Sequence, residues 1–175
     1  MSKNPFTFSF VEKQIRKKTF GVLTTINEDG TPHTTGILYG VSPPSSKFAL
    51  YFLTAIKYKK TRNINQNPNV SFLIPFPHYY IRFAPSATVT LLGKADLITL
   101  EEDVIQDIFS KKRILRLIIK NIRDEESESI TFIRIKPKQK VLCHSLGINV
   151  FKLRGGHAQA GYSVMIPQDR LFSDK

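Results

Sequence analysis

The sequence predicts a mainly β protein, a small barrel with added helices. Two turn-rich segments carry this prediction. "NEDG" at 27–30 follows the strand-like run "FGVLTTI" at 20–26, and "SPPSS" at 42–46 precedes the strand-like run at 48–53. Asn, Asp, Gly and Pro favour tight turns, so both segments predict β-hairpins. Helical patterns are inserted among the strands rather than alternating with them, which favours a barrel over a parallel sheet.

Three segments have helical periodicity. Residues 8–18 place apolar side chains at helical spacing and end in cations, which predicts a short amphipathic helix. Residues 57–67 are mostly polar and stop at "NPN", which predicts a short exposed helix. Thr99 and Glu102 have capping-box spacing and are followed by apolar stripes and cations. The region of about 99–122 is therefore predicted to be a helical insertion.

The remaining β-rich runs predict further strands. They are "VSFLIP" at 70–75, "TVTLLGKADLI" at 88–98, "ITFIRIKP" at 130–137, "KVLCHS" at 140–145 and "INVFKL" at 148–153. Gly93 predicts a bulge or a close approach of another backbone. The tail of about 154–175 is predicted to be irregular. Because there is no internal repeat or linker, residues 1–175 are expected to form one domain.

Cysteine content and hydropathy exclude several classes of protein. Cys143 is the only cysteine, so no internal disulfide is possible, and no Cys/His cluster has zinc-site spacing. No apolar run is long enough to span a bilayer, and the N-terminal residues lack a secretory signal pattern. We therefore expect a cytoplasmic protein without a membrane partner.

The charge pattern favours an anionic partner. The formal net charge is +12, and no acid lies between Asp29 and Asp96, although several cations do. Such a region would attract a phosphate or another anion, but a chance skew in a basic protein accounts for it equally well.

A cluster of cations follows the predicted strand at 48–53. Lys57, Lys59, Lys60 and Arg62 lie where that strand gives way to the predicted helix. Charged donors and helix N-terminal N–H groups that converge in one turn suit a phosphate. A solvated helix face is the alternative interpretation.

The order of these segments resembles the pyridoxamine 5'-phosphate oxidase-like, FMN-binding split-barrel superfamily. The resemblance covers about residues 8–145. It implies a six-stranded antiparallel split β-barrel, and a homodimer that holds its cofactor at the subunit interface. The most specific part is a Thr, a Lys six positions later, then Asn-Ile and Asn-Pro before a β run, here Thr54, Lys60, Asn63, Ile64, Asn67 and Pro68.

The resemblance also implies a phosphate site. Thr54, Lys59 and Lys60 match positions that hold the FMN phosphate in the family. Two departures affect this site: the common Ser before two cations is Tyr58, and an Arg often found on the preceding strand becomes Thr35. Lys57 could replace a missing phosphate contact.

Other matching positions concern the flavin ring. The strand at 34–38 matches the segment that runs along the isoalloxazine, with Thr35, Gly36, Ile37 and Leu38 taken as a group. Gly36 would allow a flat ligand to approach closely. Thr88 matches a position from which the partner subunit reaches the flavin. An ordinary barrel strand is the alternative for the group, and a core-strand Thr without a role is the alternative for Thr88.

The implied activity is that of an FMN-dependent oxidoreductase on a small organic substrate. Because the flavin supplies the chemistry, no catalytic side chain is assigned, and the scattered histidines indicate neither a metal site nor a catalytic dyad. Pyridoxamine phosphate oxidation itself is not expected, since the C-terminal Arg-x-His pattern and the Trp-containing segment of that oxidase are absent. The alternatives are a deazaflavin-dependent reductase, a non-catalytic flavin- or haem-binding protein and, least favoured, a nucleic-acid-binding protein that uses the aromatic segment 76–83.

Overall fold

The computed structural model describes residues 6–77, 86–99, 102–109, 130–148 and 161–173. The helices are α1 (Phe8–Lys17), α2 (Lys59–Gln66) and α3 (Glu102–Phe109), with a short 3-10 helix at Gln168–Arg170. The strands are β1 (Phe20–Ile26), β2 (Pro32–Leu38), β3 (Gly40–Val41), β4 (Leu50–Ala55), β5 (Asn69–Phe76), β6 (Ala87–Ile98), β7 (Ile130–His144) and β8 (Gly161–Met165).

All eight strands form one antiparallel sheet that curls into a partly open barrel. The order is β2-β1-β5-β6-β7-β4-β3, and β8 also pairs with β7. β2 and β3 lie at opposite ends of this order, yet only Tyr39 separates them in the chain. Consecutive Cα atoms are about 3.8 Å apart, so the two ends are at most roughly 8 Å apart at this point. The sheet is therefore curled, and the predicted split-barrel class is confirmed.

β7 is the longest strand and corrects one prediction. It pairs with β4 over Ile130–Ile135 and with β8 over Lys140–His144, while β6 runs along its other side. The separation into two strands at Pro137 was wrong. Pro137 lies opposite Gly93, where the β6–β7 register shifts, and a residue without an N–H is tolerated at such an irregularity. A Cβ on Gly93 would lie 2.3 Å from the Lys136 carbonyl oxygen, which confirms the predicted close approach.

Two further predictions differ from the structure. Within the described residues the sheet has eight strands rather than six, since β3 and β8 were not predicted. The tail is not irregular over Gly161–Met165, because β8 pairs with β7 there. α3 falls inside the predicted helical insertion. Residues 110–122 lie outside the described residues, as do 149–153 of the predicted strand at 148–153 and 78–83 of the aromatic segment at 76–83.

The core occupies the inside of the barrel. Burial alternates along the strands, so one face of each strand points inward. α1 covers this core with Val11 and Ile15, and the Tyr39 hydroxyl donates to the Ile15 carbonyl at 2.9 Å. The fully buried large side chains include Leu23, Tyr39, Phe52, Phe72, Ile74, Leu91, Ile133 and Ile135. A second cluster outside the barrel joins α3 to β4 and β7 through Tyr51, Phe109 and Phe132.

Candidate functional site

α2 begins directly after β4, as the sequence predicted. The connecting turn is held by two hydrogen bonds to the Ala55 carbonyl, one from the Tyr58 N–H at 3.2 Å and one from the Thr61 hydroxyl at 3.0 Å. Thr61 is fully buried. The start of α2 therefore has a fixed position relative to the end of β4.

Asn63 fixes the other side of α2. Its Nδ2 donates to Thr25 Oγ1 and to Asn27 Oδ1, both at 3.0 Å. Asn63 and Thr25 are buried, so the bond between them is an interior one that ties the helix to β1, while the part-buried bond to Asn27 ties it to the turn after β1. Sequence reasoning noted Asn63 only as part of the family pattern. The partners that give it a structural role are more than thirty residues away in the chain.

The first turn of α2 is electrostatically unusual. Its N-cap residue, Tyr58, makes no side-chain hydrogen bond to the helix, and the first turn contains no acid. Instead it contains Lys59 and Lys60, and the last turn contains no base. The N-terminus of a helix carries partial positive charge, so a cation there is unfavourable by about 0.3–1 kcal/mol. An anion bound at this turn would offset both the uncapped N–H groups and the two ammonium groups.

Lys60 is the more enclosed of the two lysines. Its ammonium nitrogen lies 4.5 Å from the centroid of the Tyr58 ring, and that ring is 45% exposed. Partial burial lowers the pKa of Lys60 below its ordinary value. The ammonium group thus lies near the helix start and is held there by an aromatic ring rather than by a carboxylate.

Lys59 points into a different environment. It lines an open cleft of about 720 Å³ between α2 and the β1–β2 turn. Asp29 lies at this turn, where hydrogen bonds from Thr31 chiefly lower the pKa of its carboxyl and Lys59 lowers it slightly further. The other lining residues are Asn27, Glu28, Arg62, Asn63 and Gln66. Since consecutive helical residues point about 100° apart, Lys59 and Lys60 approach the helix start from different sides.

Thr54 is buried just before the turn. It lies on β4 opposite Thr131, and its exposed fraction is 4%. Strand alternation places it on the inward face, together with Phe52. Its hydroxyl has no hydrogen-bond partner among the described residues. A buried hydroxyl without a partner costs about 1–3 kcal/mol, so a polar ligand at this end of the barrel would be favourable.

The four predicted flavin-ring residues divide between the two faces of β2. Ile37 is buried in the barrel, and Thr35 points the same way, opposite the buried Leu23. The Thr35 hydroxyl also has no partner among the described residues. Gly36 and Leu38 occupy the outward face, where Leu38 packs against the second cluster.

The Phe20 ring lies against position 36 on the outward face. A Cβ on Gly36 would lie 2.8 Å from a carbon of that ring. Phe20 itself is 48% exposed. The outward surface of β1 and β2 is therefore flat and partly aromatic at this point, and contact between Gly36 and a flavin stays a prediction.

Thr88 lies elsewhere on the outward side of the sheet. It is half-buried on β6, opposite Pro75 on β5 and His144 on β7. β1 and β5 separate β6 from β2, so Thr88 and Gly36 are three strand spacings apart, roughly 14 Å along the sheet. Within one chain, the structure does not bring Thr88 together with the other predicted site residues.

The described residues contain neither a cluster of metal ligands nor a membrane-spanning helix. No group of His, Cys, Asp and Glu side chains in these ranges could hold a metal ion. No helix in the same part of the chain is both long and apolar enough to cross a membrane.

Comparison with known families now adds to this geometry. The model of the family described as pyridoxamine 5'-phosphate oxidase matches residues 9–141. The chain belongs to this family. The resemblance read from the sequence is thereby confirmed. No curated protein sequence gives a significant match.

Solved structures share the fold at low sequence identity. ChuZ of Campylobacter jejuni is 16% identical with a TM-score of 0.65, over 97% of this chain and 64% of that one. HutZ, the heme storage protein of Vibrio cholerae, is 18% identical with a TM-score of 0.59, over 78% and 94%. A FAD-binding protein of Mesorhizobium loti is 21% identical with a TM-score of 0.54, over 78% and 92%. At these identities the TM-scores establish a common fold alone, which is shared by a FAD-binding protein and a heme storage protein.

Proposed function

We propose that the protein binds FMN, with the phosphate at the N-terminus of α2, and acts as an FMN-dependent oxidoreductase on a small organic substrate. The observation that carries this proposal is the first turn of α2, which begins without a side-chain cap and contains Lys59 and Lys60 but no acid. A phosphate stabilises such a turn, because it accepts hydrogen bonds from N–H groups and offsets the positive charge. Membership of the family supports a flavin as the source of the phosphate.

The residues around the turn have separate roles in this proposal. The Lys60 ammonium moves from the Tyr58 ring to the phosphate, and Lys59 approaches from the cleft. The Thr54 hydroxyl, which lacks a partner among the described residues, supplies a further donor. Each charge-assisted hydrogen bond contributes about 1.5–3 kcal/mol, so two lysines suffice for specific phosphate binding.

Bound FMN would accept a hydride and pass electrons on, and the protein would position it and exclude water. On the outward side of β2, Gly36 and Leu38 offer backbone and a flat surface beside the half-exposed Phe20 ring. These residues would orient the isoalloxazine. No side chain of this chain is needed for proton or hydride transfer in this scheme.

We also propose that two copies form a homodimer through the outward face of the sheet. Four large apolar side chains on β1, β6, β7 and β8 are between 39% and 52% exposed, namely Phe20, Leu92, Leu142 and Met165. Apolar exposure of this kind on one face favours contact with another protein surface. Thr88 and Gly36 are too far apart along one sheet to touch the same ring, so a shared flavin needs them from different copies.

Sedimentation at micromolar concentration tests the dimer. We expect a dimer for the FMN-loaded protein and a shift toward monomer for Leu92→Glu/Leu142→Glu. A loaded protein that sediments as a monomer contradicts the shared-flavin arrangement.

The cofactor is tested by the visible spectrum of the purified protein and the mass of the released small molecule. We expect FMN. A deazaflavin or haem spectrum would replace FMN as the cofactor, and haem is a specific alternative because HutZ, a heme storage protein, shares the fold.

Titration of the apoprotein with FMN and with riboflavin tests the phosphate site. FMN should bind at least about tenfold more tightly than riboflavin, because riboflavin lacks the phosphate. Lys60→Ala should remove most of this preference, whereas Lys13→Ala, an exposed change on α1, should not. Equal affinities for the two flavins in the unaltered protein would overturn the assignment.

Oxidoreductase activity needs its own test. Stopped-flow mixing of the FMN-loaded protein with NADH or NADPH should bleach the flavin absorbance. If neither donor bleaches it at millimolar concentration within minutes, the nicotinamide-linked activity is wrong and FMN binding alone stands.

A further inference from the structure

A row of lysines lies on the outward face of β7, away from α2. Lys136 is half-buried, and Lys138 and Lys140 are exposed, while Pro137 and Val141 on the same strand are buried. Lys94 on the neighbouring strand β6 lies directly opposite Lys136. We call Lys94, Lys136, Lys138 and Lys140 the lysine stripe.

The charges of the lysine stripe are only partly balanced. Lys94 and Lys136 form a cross-strand pair of like charge, an arrangement that destabilises a sheet. Asp96 lies beside them, 3.1 Å from the Lys136 ammonium and 2.5 Å from the guanidinium of Arg134. Among the described residues, no acid pairs with the other three lysines of the stripe. The stripe therefore presents net positive charge to solvent.

A β-bulge gives the stripe its shape. Between Pro137 and Val141, β7 has four residue steps, whereas β6 has two between the opposing Gly93 and Leu91. The extra residues push Lys138 and Lys140 outward, as bulges re-aim side chains. The bulged segment is held from its other side, because the Gln139 carbonyl accepts a hydrogen bond from the Ile166 N–H at 2.8 Å. Lys138 and Lys140 thus project from a fixed backbone.

We propose that the lysine stripe binds the phosphate backbone of single-stranded nucleic acid. Alternate residues of a strand repeat about every 6.8 Å. Two amino-acid residues contain as many backbone bonds as one nucleotide, so phosphates along an extended single strand recur at a comparable distance. A narrow row of cations matches a row of phosphates better than it matches a broad charged surface such as a membrane.

The expected binding is independent of base sequence. Lysine contacts to phosphate position a nucleic acid without reading its bases, and no aromatic side chain interrupts the stripe. The stripe lies outside the α2 turn, but Lys94 and Lys140 lie beside Leu92 and Leu142 on the outward face that we propose for the dimer. Nucleic acid bound to the stripe and a second copy of the chain would therefore compete for this face. Lys94 belongs to the segment 30–95, which contains no Asp or Glu and for which the sequence predicted an anionic partner.

Fluorescence anisotropy of a labelled oligothymidylate of about a dozen nucleotides, titrated with the full chain at several salt concentrations, tests the proposal. With three to four phosphates contacted, log affinity should fall against log salt with a slope of about −2 to −3. Lys138→Gln/Lys140→Gln should weaken binding at least about tenfold and reduce the slope by about 1.4. Lys13→Gln/Lys17→Gln removes the same charge from α1 and should leave both quantities nearly unchanged.

Three outcomes would overturn the proposal. The first is no salt-dependent binding by the unaltered protein, and the second is an equal loss in both double variants, which would mean general attraction to a basic protein. The third is that the unaltered protein binds phosphatidylserine vesicles but not the oligonucleotide, and that Lys138→Gln/Lys140→Gln abolishes the vesicle binding. Unchanged unfolding midpoints of both variants confirm that any loss reflects the surface rather than the fold.

Discussion

Helices α1 and α2 differ in where they place their charges. In α1, the Thr7 hydroxyl caps the N-terminus by accepting a hydrogen bond from the Phe10 N–H at 3.3 Å, and Arg16 and Lys17 lie in the last turn. Both features stabilise a helix. In α2, the N-cap side chain makes no bond and the cations lie in the first turn. The comparison shows that the cap and charges of α1 stabilise the helix, whereas the first turn of α2 lacks both features. A bound anion would supply α2 with the missing negative charge and hydrogen-bond acceptor.

The cations around α1 are also paired. Glu12, a buried acid, accepts from Arg16 Nε at 3.1 Å and from Arg170 Nη2 at 3.0 Å. Arg170 in turn donates to the Ser46 carbonyl at 2.6 Å. This network joins α1, the loop before β4 and the C-terminal 3-10 helix. The charges of Arg16 and Arg170 therefore hold the chain together. Among the described residues, neither Lys59 nor Lys60 of α2 forms an ion pair with an acid.

The largest effect should follow from breaking the network at α1. Glu12→Gln keeps the shape but leaves two guanidinium groups without their counter-charge, so the free energy of unfolding should fall by roughly 2–3 kcal/mol. Urea denaturation measures this, with Lys13→Gln at the next, exposed position as the control. A change no larger than that of the control would show that the network does not stabilise the fold.

Asp96 forms ion pairs with Arg134 and Lys136, as Glu12 does with its two arginines. Burial alone would raise the pKa of Asp96, but hydrogen bonds from the two cations outweigh burial and lower it. The pair contributes about 1 kcal/mol, a modest value because the side chain is a third exposed. This contribution is complete above the ordinary aspartate pKa of about 3.9 and is lost as pH falls through the lowered pKa. The free energies of unfolding of Asp96→Asn and of the unaltered protein should be measured as the pH is lowered. The difference between them should shrink as pH falls, and a difference that does not change with pH would contradict the prediction.

A smaller change should make α2 resemble α1. Tyr58→Ser supplies a hydroxyl that can cap the helix, as Thr7 does for α1, and should raise the free energy of unfolding by about 0.5–1 kcal/mol. Loss of the contact between Lys60 and the aromatic ring reduces the gain. Thermal unfolding of the apoprotein measures the effect, with Tyr58→Ala, which cannot cap, as the matched control. Equal stability of the two variants would mean that capping is not what α2 lacks.

The pH dependence of FMN binding tests whether Lys60 contacts the phosphate, and its expected effect is the smallest of this series. Burial lowers the pKa of Lys60, so its ammonium loses charge at a lower pH than an exposed lysine would. FMN affinity should therefore begin to fall at a pH below that at which an exposed lysine loses its charge, and should fall less in Lys60→Arg, because arginine stays charged. Titration of the flavin ring is common to both proteins and cancels. Identical pH profiles would show that Lys60 does not contact the phosphate.

Local sequence patterns predicted much of this architecture. α1, the β1–β2 hairpin and the β4–α2 junction follow from helical periodicity, turn residues and the proline after α2, all of which act over a few residues. The long-range features could not be read this way. The bonds from Glu12 to Arg170 and from Asn63 to Thr25 join residues distant in the chain, and no local pattern shows them.

Pro137 and the predicted site illustrate the same limit. The proline predicted a strand break, because the bulge that tolerates it depends on Gly93 in another strand. Sequence reasoning grouped Lys59 with Lys60 by adjacency, while the helix separates their directions. It also grouped Thr35 with Gly36, while the strand places their side chains on opposite faces.

The central claim is that the first turn of α2 is arranged for a phosphate rather than for helix stability. Lys60→Glu tests it most directly when FMN affinity and the free energy of unfolding of the apoprotein are measured on the same preparation. We predict that FMN affinity falls at least about tenfold, while stability stays within about 0.5 kcal/mol or rises, because an acid suits a helix N-terminus. Lys13→Glu on α1 should leave FMN affinity unchanged. Full FMN affinity in Lys60→Glu would contradict the account.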